Sequence, residues 1–268
     1  MKLEEFFQKR PVFTNKEFAA FLGAKDSRNV RTHESLLLYH TKTGRLLRVR
    51  RGLYAVAPIG VDLKTFPIDP FLLAAKMSED AVLAYHTALE FHGKAYSVRN
   101  RFHYLTKLAP RALTFRTFNF QSVWFPKALR IKKKENAGVM MAERVGVEIR
   151  VTTLERTLVD VLDRPDLAGS WEEIWRSLES IEFFDLDRVV EYALLLENAT
   201  TAAKVGFFLE QHKDTLMVED RHLKALVGLR PRQPHYFDRS RKKTGRLVTG
   251  WNLVVPTEIL ERSWAEVI

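Results

Sequence analysis

The stretch Phe13-Thr14-Asn15-Lys16-Glu17-Phe18 does more than any other to limit what this chain can fold into. Thr14 followed three residues later by Glu17 has the spacing of a capping box, and Phe13 and Phe18 stand at the two positions of a hydrophobic staple. A helix therefore starts at about residue 15, with Phe18, Phe21 and Leu22 on its apolar face and Gly23 placed for a left-handed C-cap. Leu3, Phe6 and Phe7 give a preceding helix at the same periodicity. A third, over about 29–41, offers Val30, Leu37 and Leu38 to a core and stops at Gly44. Two short extended runs, 46–50 and 53–56, flank Arg51-Gly52 and predict a hairpin with a basic tip.

Three helices and a basic hairpin in under sixty residues are the plan of a winged helix-turn-helix. In that plan the third helix enters the major groove, where its side chains reach base edges. The polar positions at the start of this helix are Arg28, Asn29, Arg31, Thr32 and Ser35, and the wing offers Arg45, Arg48, Arg50 and Arg51 to the phosphate backbone or a minor groove. Charge agrees with this assignment. Residues 1–58 carry twelve Lys/Arg against five Asp/Glu, a net +7, whereas the other 210 residues together carry +3. So concentrated a field attracts polyanions, and binding releases condensed counterions.

Pro58, Gly60, Pro67 and Pro70 mark a connector, so residues 1–58 are read as the DNA-binding domain and 59–268 as a second domain. The second domain is expected to be mixed, with a small sheet and several helices, making the whole α+β. Strands are predicted at 81–85, 101–106, 116–122, 147–151 and 246–255. Helices are predicted at about 70–77, 86–92, 152–163, 170–181, 185–196, 200–212 and 219–227, with a terminal one after Pro256-Thr257. Thr152 and Glu155 read as a second capping box, Ser170 as an N-cap, and Arg156 with Asp160 as an i, i+4 pair on a helix surface. A fragment ending near Gly60 is expected to fold alone with marginal stability.

Enzyme templates find no match. The chain has no phosphate-cradling glycine loop, no HExxH and no cysteine, which excludes thiolate metal sites and a cysteine nucleophile. His86 and His92 do not share a helix face, Gly169-Ser170 is not followed by the paired-carboxylate strand of a nucleotidyltransferase, and no catalytic role is expected of Asp160 or Asp163. No cofactor or metal is expected. No apolar run approaches a membrane span, and the opening MKLEEFFQKR lacks the pattern of a secretory signal, so a cytoplasmic protein is expected.

Three stretches carry a resemblance: GRLLRVRRGLYAV at 44–56, VTTLERTLVDVLDRPDLAGSWEEIW at 151–175 and LAYHTALEFHG at 83–93. In these the chain resembles the AbiEi antitoxin family of bacterial type IV (abortive infection) toxin–antitoxin systems, over most of residues 10–215. The resemblance implies a winged helix that represses its own operon by binding inverted repeats in double-stranded operator DNA. It also implies a C-terminal domain that antagonises a nucleotidyltransferase toxin without forming a stable complex with it. Two other functions fit the residues: a solitary winged-helix regulator whose second domain senses a ligand or dimerises, and a nuclease targeted by the winged helix. The nuclease needs a carboxylate pair with a nearby lysine on a strand, and 147–151 offers only Glu148 and Arg150.

Overall fold

The computed structural model describes residues 3–23, 30–238, 245–262 and 264, with the backbone alone at 30 and 31. The chain opens with α1 (Leu3–Lys9), β1 (Val12–Thr14), α2 (Asn15–Gly23), α3 (Val30–Lys42), β2 (Leu46–Arg50) and β3 (Leu53–Val56). The capping box forms: the Thr14 amide donates to Glu17 Oε2 at 2.8 Å and the Glu17 amide to Thr14 Oγ1 at 3.3 Å. The staple forms as well, with the Phe13 and Phe18 rings 5.6 Å apart. Gly23 differs from expectation. It is the last helical residue and has no positive φ, so it does not adopt the left-handed cap that its position predicts.

Positive φ falls instead at Gly44 (76°), which ends α3, and at Gly52 (79°), which turns the wing. The residues just before α2 form a strand that local sequence pattern does not predict. β1 pairs antiparallel with β3, giving a three-stranded sheet of order β1-β3-β2. Phe6, Phe7, Phe13, Phe18, Leu22, Leu37 and Leu46 fill the core between helices and sheet. Leu38, expected in that core, is 55% exposed.

The next segment builds a six-stranded sheet. Its elements are α4 (Pro70–Ala75), β4 (Val82–Leu83), α5 (His86–Phe91), β5 (Arg101–Thr106), β6 (Ala112–Phe115), β7 (Phe118–Trp124), α6 (Lys127–Lys132), β8 (Val139–Arg144) and β9 (Val147–Thr152). Strand order is β6-β7-β5-β4-β9-β8, with β5/β7 and β4/β9 parallel and the remaining pairs antiparallel. The two edge strands, β6 and β8, are absent from the sequence-based expectation. Both are exposed to half-exposed throughout; β8 lacks the apolar alternation of a half-buried strand, and β6 shows it over only four residues, Leu113 and Phe115 alternating with Ala112 and Thr114.

Beyond the sheet lies a helical region: α7 (Leu154–Asp163), a 3-10 turn (Pro165–Leu167), α8 (Trp171–Glu179), α9 (Leu186–Leu195), α10 (Ala199–Gln211) and α11 (Asp220–Leu229). A small sheet of β10 (His235–Tyr236), β11 (Arg246–Val248) and β12 (Leu253–Val255) packs on it, and α12 (Thr257–Glu261) is the last element among the described residues. The single strand predicted over 246–255 is thus a hairpin, turned through Asn252 at φ 50°. Gly206 lets the small sheet approach α10: a Cβ there would lie 2.1 Å from the Trp251 ring.

Two details of α7 depart from the sequence-based expectation. Thr153, not Thr152, caps it, accepting the Arg156 amide; Thr152 is fully buried with its hydroxyl 2.7 Å from that of Thr157. Arg156 and Asp160 are buried, not on the surface, because α7 is enclosed on all sides and carries Leu158, Val159, Val161 and Leu162 at 0% exposure. Helical spacing predicts that two residues are neighbours but leaves open which face meets the core.

The winged helix shares an apolar core with the second domain. Val12, Val49, Leu53 and Ala55 pack into the same cluster as Leu72 and Leu73 of α4 and Phe102, Phe120 and Ile149 of the large sheet. Polar contacts reinforce this seam: Lys76 Nζ lies 2.5 Å from Glu17 Oε1, and Arg50 Nη2 donates to the Met77 carbonyl at 2.6 Å. Among the described residues no helix is long and apolar enough to cross a membrane.

Candidate nucleic-acid interface

α3 buries Leu37 on one side and leaves Ser35, Leu38, Tyr39 and Lys42 exposed. With 3.6 residues per turn, positions 31, 35, 38 and 42 form one stripe opposite the buried face, and Tyr39 flanks it. Thr32 is half-buried at the side of this stripe, and Ser35 lies within it. Arg28, Asn29 and the side chain of Arg31 lie outside the described residues. The sequence-based candidates sit in the first turns of this helix and do not include Tyr39 and Lys42. Their i+4 and i+7 spacing from Ser35 is the signal that places them on the same side.

The four wing arginines divide into two pairs. Arg48 and Arg51 are exposed and have no carboxylate partner among the described residues; Arg48 lies opposite Tyr54 on β3 and Arg51 sits in the turn. Arg45 is built into the scaffold. Its guanidinium donates to the Ala57 carbonyl and, at 2.7 Å, to Glu4 Oε2, and lies 5.6 Å from the centre of the Phe7 ring. Arg50 turns back to the Met77 and Arg51 carbonyls. The wing therefore presents two long-stemmed cations to a ligand and uses two to hold α1 and the second domain in place.

Electrostatics at the seam favour a fixed wing. Burial pushes Glu17 up, but the hydrogen bonds from Lys76 and from the Thr14 amide outweigh it, so its carboxyl stays ionised below the ordinary carboxylate range. The charged Glu17 thus serves two neighbours at once, capping α2 and holding Lys76.

The histidines and aspartates considered for chemistry have structural partners. His86 is buried, and its Nε2 donates to Glu173 Oε1 at 3.1 Å; burial and then Arg99 push its pKa down. His92 donates to the Thr152 carbonyl at 2.8 Å. Asp163 accepts from Asn198 at 3.1 Å and from Thr201. Among the described residues no group of three His, Asp or Glu side chains is placed to hold a metal ion.

What the interface offers is a helix exposing Ser35, Leu38, Tyr39 and Lys42 on one side, followed by a hairpin with two exposed cations in a three-stranded sheet. That combination can lay a helix in a major groove while the wing grips the backbone beside it.

Comparison with known proteins agrees with the geometry. Residues 1–57 match the family model described as transcriptional regulator, AbiEi antitoxin. The solved structure of the RV2827C protein from Mycobacterium tuberculosis matches with a TM-score of 0.61 at 16% identity, covering 98% of this chain and 93% of that one. Likeness at that identity shows a common fold, which here extends through both domains. No curated protein matches the chain. The family match thus covers the winged helix, residues 1–57 of 268, and is to an AbiEi-type transcriptional regulator.

Proposed function

We propose that the protein is the repressor and antitoxin of a type IV toxin–antitoxin operon. On this reading residues 1–58 bind inverted repeats in the operon's own promoter, and residues 59–268 antagonise a nucleotidyltransferase toxin without stably binding it. One observation carries the DNA-binding half: Arg48 and Arg51 of the wing are exposed without a carboxylate partner among the described residues, and the wing strand β2 packs against α3, whose Ser35–Lys42 stripe is exposed as well. The match of residues 1–57 to an antitoxin regulator family supports the second half. Of the candidate contact residues, Arg28, Asn29, Arg31, Thr32 and Ser35 serve the bases. Arg48 and Arg51 grip phosphates, with Arg45 and Arg50 bracing the wing. The protein acts on DNA in the cytoplasm and performs no catalysis of its own.

Two measurements test this. A mobility-shift assay on the native promoter should show saturable, sequence-selective binding that is lost when the inverted repeat is scrambled. The gene next to this one should encode a nucleotidyltransferase, and in cells expressing it residues 62–268 should protect while leaving the promoter derepressed. Protection by residues 1–60 alone would assign the antitoxin effect to repression and overturn the division of labour.

A further inference from the structure

The near-neutral total of the second domain hides a sharp internal asymmetry. Residues 91–134 contain eleven Lys/Arg and no Asp or Glu, while the remainder beyond residue 58 holds twenty basic against twenty-eight acidic residues. This acid-free segment builds β5, β6, β7 and α6, one whole edge of the six-stranded sheet. Part of its charge serves the fold: Lys107 pairs with Glu135 at 3.1 Å, Lys132 with Glu197 at 2.6 Å, and Arg99 with Glu173 at 3.7 Å. Arg111, Lys127, Arg130 and Lys134 are exposed and have no carboxylate partner among the described residues.

At the centre of this edge Trp124 ends β7 with 47% of its surface exposed. The Arg130 guanidinium lies over its ring, 5.3 Å from the centroid, and is held there by donating to the Phe125 carbonyl at 3.0 Å. Trp124 lines a groove of about 530 Å³ together with Gln121, Lys127, Arg130, Tyr85 and Asn198. Its two carboxylates are already engaged. Asp166 is clamped by Arg164 at 2.9 and 3.1 Å, and Asp163 by Asn198 and Thr201. The groove is therefore lined by cations and an aromatic ring, and both of its carboxylates are already engaged.

We propose that this edge binds single-stranded nucleic acid, with phosphates tracking the unpaired cations and an unstacked base entering the groove against Trp124. A basic track with an exposed aromatic is the arrangement that holds single strands, because every base has a face to stack while the backbone releases counterions. Duplex DNA keeps its bases stacked and would leave both Trp124 and the groove without a role. The residues of this site are different from those proposed to contact the operator.

The test uses the full-length protein with fluorescein-labelled oligo(dT) and oligo(U), followed by anisotropy over a range of KCl concentrations. Saturable binding to either is expected. Lys127→Glu with Arg130→Glu should weaken it at least about tenfold and flatten the log–log salt slope by about 1.4, the share of two phosphates on a single strand. Trp124→Ala should cost about tenfold and Trp124→Phe much less, since a phenyl ring still stacks. Arg48→Ala with Arg51→Ala should leave single-strand binding unchanged while impairing operator binding. The proposal is overturned by no saturable binding, by equal losses in the wing variant, or by Lys127/Arg130 variants that lose operator duplex and keep single strands. Loss of sequence-selective operator binding with single-strand binding intact would count against the operator reading alone.

Discussion

Arg156 and Asp160 form an ion pair at 3.1 Å in which neither side chain is more than 1% exposed. Its surroundings extend the hydrogen bonding: Tyr192 donates to the second Asp160 oxygen at 2.8 Å, and Arg156 Nη1 donates to the Glu135 and Ala137 carbonyls at 3.0 and 2.7 Å, while the buried Arg156 Nη2 has no partner. Gly138, at φ 62°, leaves room for the arginine, since a Cβ there would lie 2.7 Å from Arg156 Cβ. The pair thus ties α7 to the loop before β8 and to α9.

Removing one partner should be far worse than removing both. Arg156→Leu strands a buried carboxylate and should cost about 3–5 kcal/mol in denaturant unfolding. The double variant Arg156→Met with Asp160→Leu should recover much of that loss. Equal destabilisation by the single and double variants would show that the contacts to Glu135 and Ala137 matter more than the charge pair.

The division among the wing arginines has a signature in both salt dependence and stability. Arg48→Ala with Arg51→Ala should weaken binding to operator and random duplex alike and reduce the salt slope by about 1.8, the share of two phosphates on B-DNA. Arg50→Ala should leave the slope unchanged and lower the melting temperature, because its guanidinium holds the Met77 carbonyl. A slope change from Arg50→Ala would return that residue to the DNA surface.

On α3 the stripe should govern sequence selectivity. Ser35→Ala or Tyr39→Ala should cost about 1–3 kcal/mol at the operator and much less at random DNA. Lys42→Ala should lower affinity for both equally. Competition mobility shifts with scrambled duplex separate the two outcomes.

His103 makes stability depend on pH. Burial, then Arg101 and His86, push its pKa down to about 4, and neither ring nitrogen has a hydrogen-bond partner. The unfolded chain takes up this proton near pH 6.5 and the native one does not, so stability falls as pH drops from about 6.5 to 4, by about 3 kcal/mol at the lower end. His103→Leu should flatten that part of the profile. Glu17 acts lower on the scale: its depressed pKa adds stability above about pH 4.5 that is lost on further acidification, loosening the seam with Lys76. Urea titrations at successive pH values read both effects.

Truncation at Gly60 should be less benign than the local signals suggest. It leaves α1 to β3 intact but uncovers Val12, Val49, Leu53 and Ala55, which the full chain buries against α4 and the large sheet. The fragment should melt well below the intact protein and bind operator more weakly, as calorimetry and mobility shifts would show.

Much of the winged helix is legible residue by residue. The capping box at Thr14, the staple from Phe13 to Phe18, the glycine turns at 44 and 52 and the basic hairpin are local signals, each settled by a few adjacent positions whose chemistry demands one backbone shape. The central strands and most helices of the second domain are visible for the same reason, their apolar periodicity being a one-dimensional record of burial. Other features depend on partners far away in sequence. β1 exists because β3 is there to pair with Val12–Thr14, and β6 and β8 because a neighbouring strand supplies their hydrogen bonds. Arg45 and Arg48 are alike in sequence, yet Glu4 and the Ala57 carbonyl claim one and leave the other to solvent. Likewise the i, i+4 spacing of Arg156 and Asp160 makes them neighbours, but only packing from Tyr192, Glu135 and Ala137 makes them core. Hydrogen-bond partnership and burial are pairwise properties of distant residues, so the sequence determined the local elements and the tertiary structure decided which charges hold the fold and which remain for a ligand.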